Sequence, residues 1–580
     1  MSSKPNRIFI AVLVVAAVIF IISLCLWIVY PILFPILVAK NLALSEASNG
    51  LPSSSTFFWS KPPINADVKV YFFNVTNADE VVYEGAKPWL QEVGPFVLRY
   101  SEHKRDYQFT ANGEEIHYST YRRYYVVKEL SCDYCDENTP LTLPNAVTLG
   151  ALNNMEDPKY ECSNVCKTLV EIGLLLLGEN PFRTVTFDEI TFGGYYDPFL
   201  TFVHSELYAA LCDLFNNGEP LMPFAVPDME KMAFFIGYND TNDQEYVMKT
   251  GQGNIERIGE VIQWAGARGL PHSWWTTPHA RMINGSDCGS FSRPQLTKND
   301  VFPFFLALLC RSFYATYAGE TVVNGVPSYK FETPYEAFDT TSNENIGFRY
   351  RNAERIDYFE EWDPCPNKKK FDNCSNLPFI DCSRRENFCS ECCEGKLVDG
   401  TYLLPPGMFP LSCFSGKTDT APFSAIFSPP HWLYSPPEVV NSVRGLSPSR
   451  EHHVPFISER EPISGTLTQA RVRLMASFPV FRNPHATIVM HVRSMVVPTF
   501  WLNIRALLHD SMYEPMRFGF VIMPRAMFIA KIVTLVVSVL LAAIAITCRT
   551  KYLLRRHRFT TDESGREYQK SFVNGNVKYL

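Results

Sequence analysis

The chain has 580 residues, of which 46% are hydrophobic and 19% charged, and its net charge is −7. That is enough apolar material for a sizeable core, and the acidic balance argues against a protein that grips nucleic acid. Aromatics at 14% and 41 prolines favour short strands, turns and apolar cavities over long soluble helices.

Residues 8–30 carry no charge. At ~1.5 Å per residue such a run crosses a hydrocarbon core of roughly 30 Å. It is longer than the ~7–15 apolar residues of a secretory signal. It ends on Trp27, Tyr30 and Pro31 instead of a small-residue cleavage site. We read it as a retained transmembrane helix, with residues 1–7, including Lys4 and Arg7, on the cytosolic side. Residues 31–58 form a partly helical exit segment.

From Asp67 onward the text turns strand-like. Val68, Val70 and Phe72 alternate, as do Val472, Leu474, Ala476, Phe478 and Val480, and then Ala486, Ile488, Met490 and Val492. Period-two runs so far apart predict antiparallel strands closed by long-range pairing. Residues 145–216 read as helical, with candidates at 168–178 and 204–215. The first carries Leu169, Val170, Ile172, Leu174, Leu175, Leu176 and Leu177, and is apolar nearly all round. Such a helix is either buried in the core or presents a surface to lipid or protein. Residues 350–413 are charged and cysteine-rich, a loop region stapled by disulfides.

A second span is expected at 526–548, where Lys531 can extend its ammonium to the interface. Arg549, Lys551, Arg555, Arg556 and Arg558 follow, which places the tail, 549–580, in the cytosol. Residues 31–525 are therefore expected outside. The sequons Asn74, Asn239, Asn284 and Asn373 all fall there, as do all of the 16 cysteines except Cys25 and Cys548. Cys548 at the cytosolic boundary is a palmitoylation candidate beside the reading of an unmodified thiol.

Chemistry-bearing motifs are sparse. Cys132 and Cys135 with Cys162 and Cys166 have zinc-like spacing, but an oxidising compartment favours disulfides. His431, His452 and His453 sit in proline-rich or charged text and read as structural or surface histidines. There is no G-x-S-x-G, H-E-x-x-H or Walker loop, and no nucleophile is paired with a base. The reading is non-enzymatic, with no cofactor and no metal.

Several phrases resemble the class B scavenger receptor family. Early strands carry WSKPP at 59–63, FNVTN at 73–77 and EVGPF at 92–96. YYDPF at 195–199, TGQGN at 250–254 and WAG at 264–266 follow. The strongest block is MINGSD at 282–287, with Ser290, Phe291 and CRSFY at 310–314. Pro430, His431, Gly445, Leu446, His452, EPISG at 461–465 and VPTFWL at 497–502 complete an ordered set over nearly the whole chain.

The resemblance implies an α+β ectodomain with an antiparallel β-barrel-like core and an apical cluster of short helices, tethered by two transmembrane helices. It implies an apolar tunnel toward the bilayer, worth about 0.8 kcal/mol per buried CH₂ of an acyl chain. It also implies lipids, fatty acids, sterols or lipoprotein particles as ligands, and, from the lysosomal relative, a protein ligand at the apex. Cys310 and Cys413 resemble one family bridge. Ala280 stands where the family has a cysteine, and Cys288 is expected to substitute for it. Pairing among Cys389, Cys392 and Cys393 is left open. LGEN at 177–180 lacks the lysines of the fatty-acid translocase, and residues 151–200 carry eight acids against three bases, which disfavours polyanionic ligands. The tail has no convincing sorting signal, so the plasma membrane is the default and an endosomal or lysosomal membrane the alternative.

Overall fold

The computed structural model describes residues 4–573 apart from 48–49, 225, 227–228, 351–356, 364, 366–369, 371–380, 383–386, 388, 394–401, 415, 420 and 422. The sequon at Asn373 lies outside the described residues. The chain divides into two units, Met1–Ala39 with Glu514–Leu580, and Lys40–Tyr513.

Most of the first unit is two long helices, α1 (Lys4–Leu42) and a C-terminal helix over Met523–Val573. Both contain stretches long and apolar enough to cross a membrane. The Lys531 ammonium lies 4.0 Å from the Trp27 ring centre, and the Arg549 guanidinium 4.3 Å from that of Phe9. The Ser23 hydroxyl donates to the Lys531 carbonyl at 3.0 Å. On each helix the two cation–aromatic contacts are 18 residues apart, so the helices run antiparallel. That spacing is ~27 Å of helix, close to the hydrocarbon thickness. The expected exit at residue 31 is not a break: α1 continues through Pro31 and Pro35.

The second unit is built on a large sheet. Its strands are β1 (Ile64–Val75), β2 (Leu90–Phe109), β3 (Glu115–Val126), then, after a separate two-stranded antiparallel sheet of β4 (Pro140–Pro144) and β5 (Phe182–Thr186), β6 (Thr241–Lys249), β7 (Val261–Trp264), β8 (Ser286–Asp287) and β9 (Val301–Leu306). They continue as β10 (Arg311–Val323), β11 (Val326–Glu332), β12 (Phe409–Pro410), β13 (Ile426–Ser428), β14 (Phe456–Arg460), β15 (Leu467–Val480) and β16 (Met495–Leu508). The order is β7-β6-β3-β2-β1-β16-β15-β14-β11-β10-β9-β8, antiparallel except for β8 beside β9. A bridge between Glu260 and Ser286, with the Val261 N–H donating to Gly285 at 2.9 Å, joins the two edges and all but closes the ring.

The alternation read in the sequence sets the faces. On β1, Ala66, Val68, Val70 and Phe72 are buried while Asn65 and Lys69 are exposed. These inward residues sit opposite Ala506, Ile504, Leu502 and Phe500 of β16. The run at 486–492 is different: it is a 3-10 turn (Thr487–Val489) and not a strand. Ala486, Val489 and Val492 are the buried positions, a spacing of three, and the Glu171 carboxylate accepts the Thr487 N–H at 2.8 Å. Residues 145–216 hold α2 (Ala146–Glu156), α3 (Asn164–Leu176), α4 (Pro198–Val203) and α5 (Glu206–Asn216), with strand β5 between α3 and α4.

Among the described residues, bridges pair Cys132 with Cys135, Cys162 with Cys166, Cys310 with Cys413, Cys365 with Cys389, and Cys382 with Cys393. Cys392 is also disulfide-bonded. Cys288 differs from expectation and is a free thiol. Its Sγ faces the Arg122 guanidinium at 3.8 Å inside the barrel, while Cys310 is committed to Cys413.

Closure of the ring depends on Gly285, at φ +79°, where a Cβ would come within 2.0 Å of the Pro303 carbonyl oxygen. Gly266 has a similar φ of +77° but open space around it. Gly285→Ala should cost about 3 kcal/mol, strain plus clash, and Gly266→Ala only about 1–2 kcal/mol of strain. Thermal unfolding of the two variants checks this; equal melting shifts would show that closure does not depend on the approach at Gly285.

Candidate functional site

Two places in the second unit combine unusual chemistry with accessible surface. The first is α3. Its first turn is clamped twice, by the Cys162–Cys166 bridge and by the Ser163 hydroxyl, which accepts the Cys166 N–H at 3.3 Å. One stripe is core: Val170 and Leu174 are buried, and Leu177 packs beside them. The opposite side is bare, with Leu169 half exposed, Ile172 and Leu175 nearly so, and Leu176 83% exposed. The apolar-all-round text thus splits into a buried stripe and an exposed one. Leu207, Leu214 and Phe215 are similarly exposed on α5.

Buried polar groups hold α3 in place. The Glu179 carboxylate, just past its end, accepts from Asn145 Nδ2 at 2.8 Å, Thr148 Oγ1 at 2.7 Å and Arg183 at 3.2 Å. Glu156 pairs with Lys167 and accepts from Asn483 Nδ2 at 2.7 Å. Asp197 caps α4 by accepting the Phe199 and Leu200 N–H groups. Burial, with Glu179 nearby, raises its carboxyl to about 6. Three of the eight acids in 151–200, namely Glu156, Glu179 and Asp197, are therefore internal, and the outer surface is less acidic than the count suggests.

The second place is the barrel interior. On its inward face Tyr100, Tyr124, Val472, Leu474, Leu502 and Ile504 are only half-buried. Tyr100 and Tyr124 lie 5.7 Å apart, and Phe192 continues from Tyr124 at 6.0 Å. Next to them is a charged cluster that the sequence did not reveal. Arg122 donates to Glu102 at 3.0 Å and to Asp243 at 2.9 Å, and Lys104 pairs with Glu102. Tyr246 donates to Asp243 at 2.8 Å, and Tyr118 to Asp287 at 3.4 Å. Burial alone would raise the Glu102 carboxyl, but Lys104 and Arg122 overcome it and hold it at about 2. Burial raises Asp287, which Lys104 opposes and Asp243 reinforces. The only signal in the text was MINGSD, whose Asp287 ends in this cluster; the charges of β2 stand on both faces, so period two was invisible there.

The sequons differ in their surroundings. Asn284 is exposed. Both amide atoms of Asn239 are bonded to the Tyr124 backbone, at 2.9 and 3.3 Å. Asn74 is half-buried in β1, its Oδ1 accepting the Thr142 N–H at 2.8 Å. No group of His, Cys, Asp and Glu side chains suited to a metal ion occurs among the described residues.

A family model described as the CD36 family matches residues 12–549. An uncharacterised protein of Caenorhabditis elegans is 35% identical over 538 residues, 93% of this chain and 96% of its own length. Lysosome membrane protein 2 of Mus musculus is 28% identical over 468 residues, covering 80% of this chain and 79% of that one. Scavenger receptor class B member 1 of Mus musculus is 25% identical over 501 residues, covering 86% and 82%.

Two outcomes are expected. Arg122→Met leaves Glu102 and Asp243 without their shared cation and should cost about 3–5 kcal/mol. The folded-state carboxyl of Glu102 lies below its ordinary value of 4.5, so its contribution holds above pH ~4.5 and is lost as pH falls toward 2. Acid titration of folding in wild type and variant checks this; parallel titrations would rule out the Glu102–Arg122 pair as the cause. In glycopeptide mapping, of Asn74, Asn239 and Asn284 the occupancy should be highest at Asn284 and lowest at Asn74. A fully occupied Asn74 would contradict the constraint seen at Thr142.

Proposed function

The chain belongs to the CD36 family, and from that premise we propose that it is a receptor that binds lipid in the barrel interior and passes hydrophobic cargo toward the membrane. It is a membrane protein of a receptor family, and its relatives fit either the plasma membrane or the lysosomal membrane. In this reading both termini are cytosolic and the glycosylated, disulfide-bonded segment between the helices is outside.

The observation that carries the lipid reading is the incomplete burial of apolar side chains on the inward face. In a fully packed barrel Val472, Leu474, Leu502 and Ile504 would be buried like Val68 and Val70 on the neighbouring strand. An acyl chain beside them gains about 0.8 kcal/mol per CH₂ removed from water. The ligands are lipids, fatty acids, sterols or the lipids of lipoprotein particles.

A second reading is favoured by α3. Exposed Leu169, Ile172, Leu175 and Leu176 on a helix fixed by a disulfide and a cap form a pre-ordered apolar surface suited to a protein ligand.

Native mass spectrometry of the purified full chain separates the readings. Lipid should co-purify, and Leu502→Trp or Ile504→Trp, by filling the interior, should lower uptake of a labelled fatty acid or sterol at least tenfold. Leu169→Asp with Leu176→Asp should leave uptake within twofold, and unfolding within about 0.5 kcal/mol, because these side chains face water. Uptake lost in the Asp pair and kept in the Trp variants would move the lipid site to α3. Loss of a protein ligand in the Asp pair alone would support the second reading.

A further inference from the structure

One cluster outside these places is built from two buried histidines. His431, in a 3-10 turn (Pro430–Trp432), and His453, at the end of a short helix (Arg450–His453), are 5% and 7% exposed. Their rings stack at 4.3 Å with 14° between planes. They lie against the outer wall of the barrel, with Phe73 of β1 5.2 Å from His431 and Trp501 of β16 5.6 Å from His453.

The hydrogen bonds fix the state of both rings. The Ser447 N–H meets His431 Nδ1 at 3.1 Å, and the Ser449 N–H meets His453 Nδ1 at 3.0 Å. A backbone N–H can only donate, so each Nδ1 is an unprotonated acceptor and each neutral ring carries its hydrogen on Nε2. His431 Nε2 then donates to the Glu92 carboxylate of β2 at 2.8 Å. Protonating either Nδ1 would turn an acceptor into a donor facing a donor. We propose that the stacked His431–His453 pair is an acid-weakened clasp that holds the Ser447–Ser449 segment on the barrel wall.

The surroundings set the direction. Glu92 from β2 is the carboxylate that meets His431 among the described residues. Arg473 from β15 and His452 from the same short helix oppose charge on His453, and Tyr71 of β1 is a neutral neighbour raised by its own burial. His452 has Glu451 at 3.9 Å, and the Arg473 guanidinium is turned to the Val454 carbonyl at 3.3 Å. Burial first, then His431, lowers His453 from 6.5 to about 3 in the closed clasp. An opened segment restores 6.5, so opening takes up a proton below that pH. The closed form is held fully above pH 6.5 and loses its advantage as pH falls toward 3. From these two values the opening equilibrium at pH 5.0 is about 30-fold larger than at pH 7.4. Arg444, in the chain leading to this segment, bridges Trp89 at the start of β2, so opening would loosen that edge and uncover Phe73 and Trp501. None of this depends on what the receptor carries.

Amide hydrogen exchange on the full chain in nanodiscs tests it, with protection factors corrected for the pH dependence of intrinsic exchange. Between pH 7.4 and 5.0, protection at Ser447 and Ser449 should fall about 30-fold while β15 stays protected. The double variant His431→Asn with His453→Asn keeps an acceptor near each Nδ1 position but cannot titrate, and its protection should not change with pH. Wild-type protection constant within threefold, or an equal loss in the Asn pair, overturns the proposal. Should the Asn pair fail to close at pH 7.4, imidazole C2 exchange in the wild type decides: His453 must titrate well below 6.5, and a value at or above 6.5 overturns the clasp.

Discussion

The pairing of β1 with β16 is the contact on which the rest of the second unit depends. Ile64 faces Leu508 and Phe72 faces Phe500 in one unbroken antiparallel register. The first strand after α1 is thereby joined to the last strand before the C-terminal helix, and every other strand of the large sheet is added outward from this pair. Such a pairing spans more than 400 residues of chain, so its loop-closure entropy is repaid only when both flanks of the sheet are in place. The bridge at Glu260 and Ser286 ties the closing seam, and the disulfide between Cys310 and Cys413 fastens the β9–β10 turn to the segment after β12. The first leaves few open strand edges, and the second shortens the loops of the unfolded chain.

Across the second unit, burial acts on acids and bases in three different ways. Glu102 is surrounded by cations, so it stays ionised down to about 2 and its network is intact at any physiological acidity. Asp197, beside Glu179, sits at about 6; it takes up a proton on mild acidification, and the helical region gains stability as pH falls below that value. His453 is held neutral and loses its advantage over the same range. The same drop in pH therefore spares the Glu102 ion pairs, steadies the helices that carry α3 and weakens the clasp at Ser447–Ser449. The three responses lie in separate places on the fold.

The parts of this architecture legible in the sequence are those in which burial and alternation agree. β1 alternates in burial as it does in sequence from Asn65 to Phe72, because one face is core and the other carries the exposed Asn65 and Lys69, whereas β15 alternates in sequence only and is buried on both faces from Met475 to Val480. β2 and β3 hid their role because the inward positions change along the strand from Leu98 and Tyr100 to Glu102 and Lys104, and outward positions there are charged too. Polarity in a strand says that a side chain is satisfied, not that it faces solvent. The run at 486–492 misled for the opposite reason: its apolar residues alternate in the text, but only every third one is buried, because the Asn483 turn and the Glu171 carboxylate wind the backbone into a 3-10 turn. The histidines were passed over because Ser447 and Ser449, which reveal their protonation state, are bound through backbone atoms that leave no mark in the sequence.

The helix α3 shows how a single stretch of text serves two ends. Seven apolar residues in a row of nine can be buried only if the helix is surrounded, and here it is not: its packed contacts run along Val170, Leu174 and Leu177, and Leu169, Ile172, Leu175 and Leu176 are exposed. Exposed leucines in a patch contribute no burial to the fold and promote aggregation unless something binds them. They are tolerable on α3 because its conformation does not depend on them; the Cys162–Cys166 bridge, the Ser163 cap and the Glu179 cluster hold the helix without help from that side. A surface freed from any structural duty is free to be used in binding, and the cost of ordering it on contact has already been met by folding. The half-buried residues of the barrel interior follow the same logic from inside: Val472 and Ile504 keep accessible surface because the ring is held by backbone pairing and by the Arg122 cluster. In both places rigidity comes from polar and covalent links, which leaves apolar surface available to a ligand.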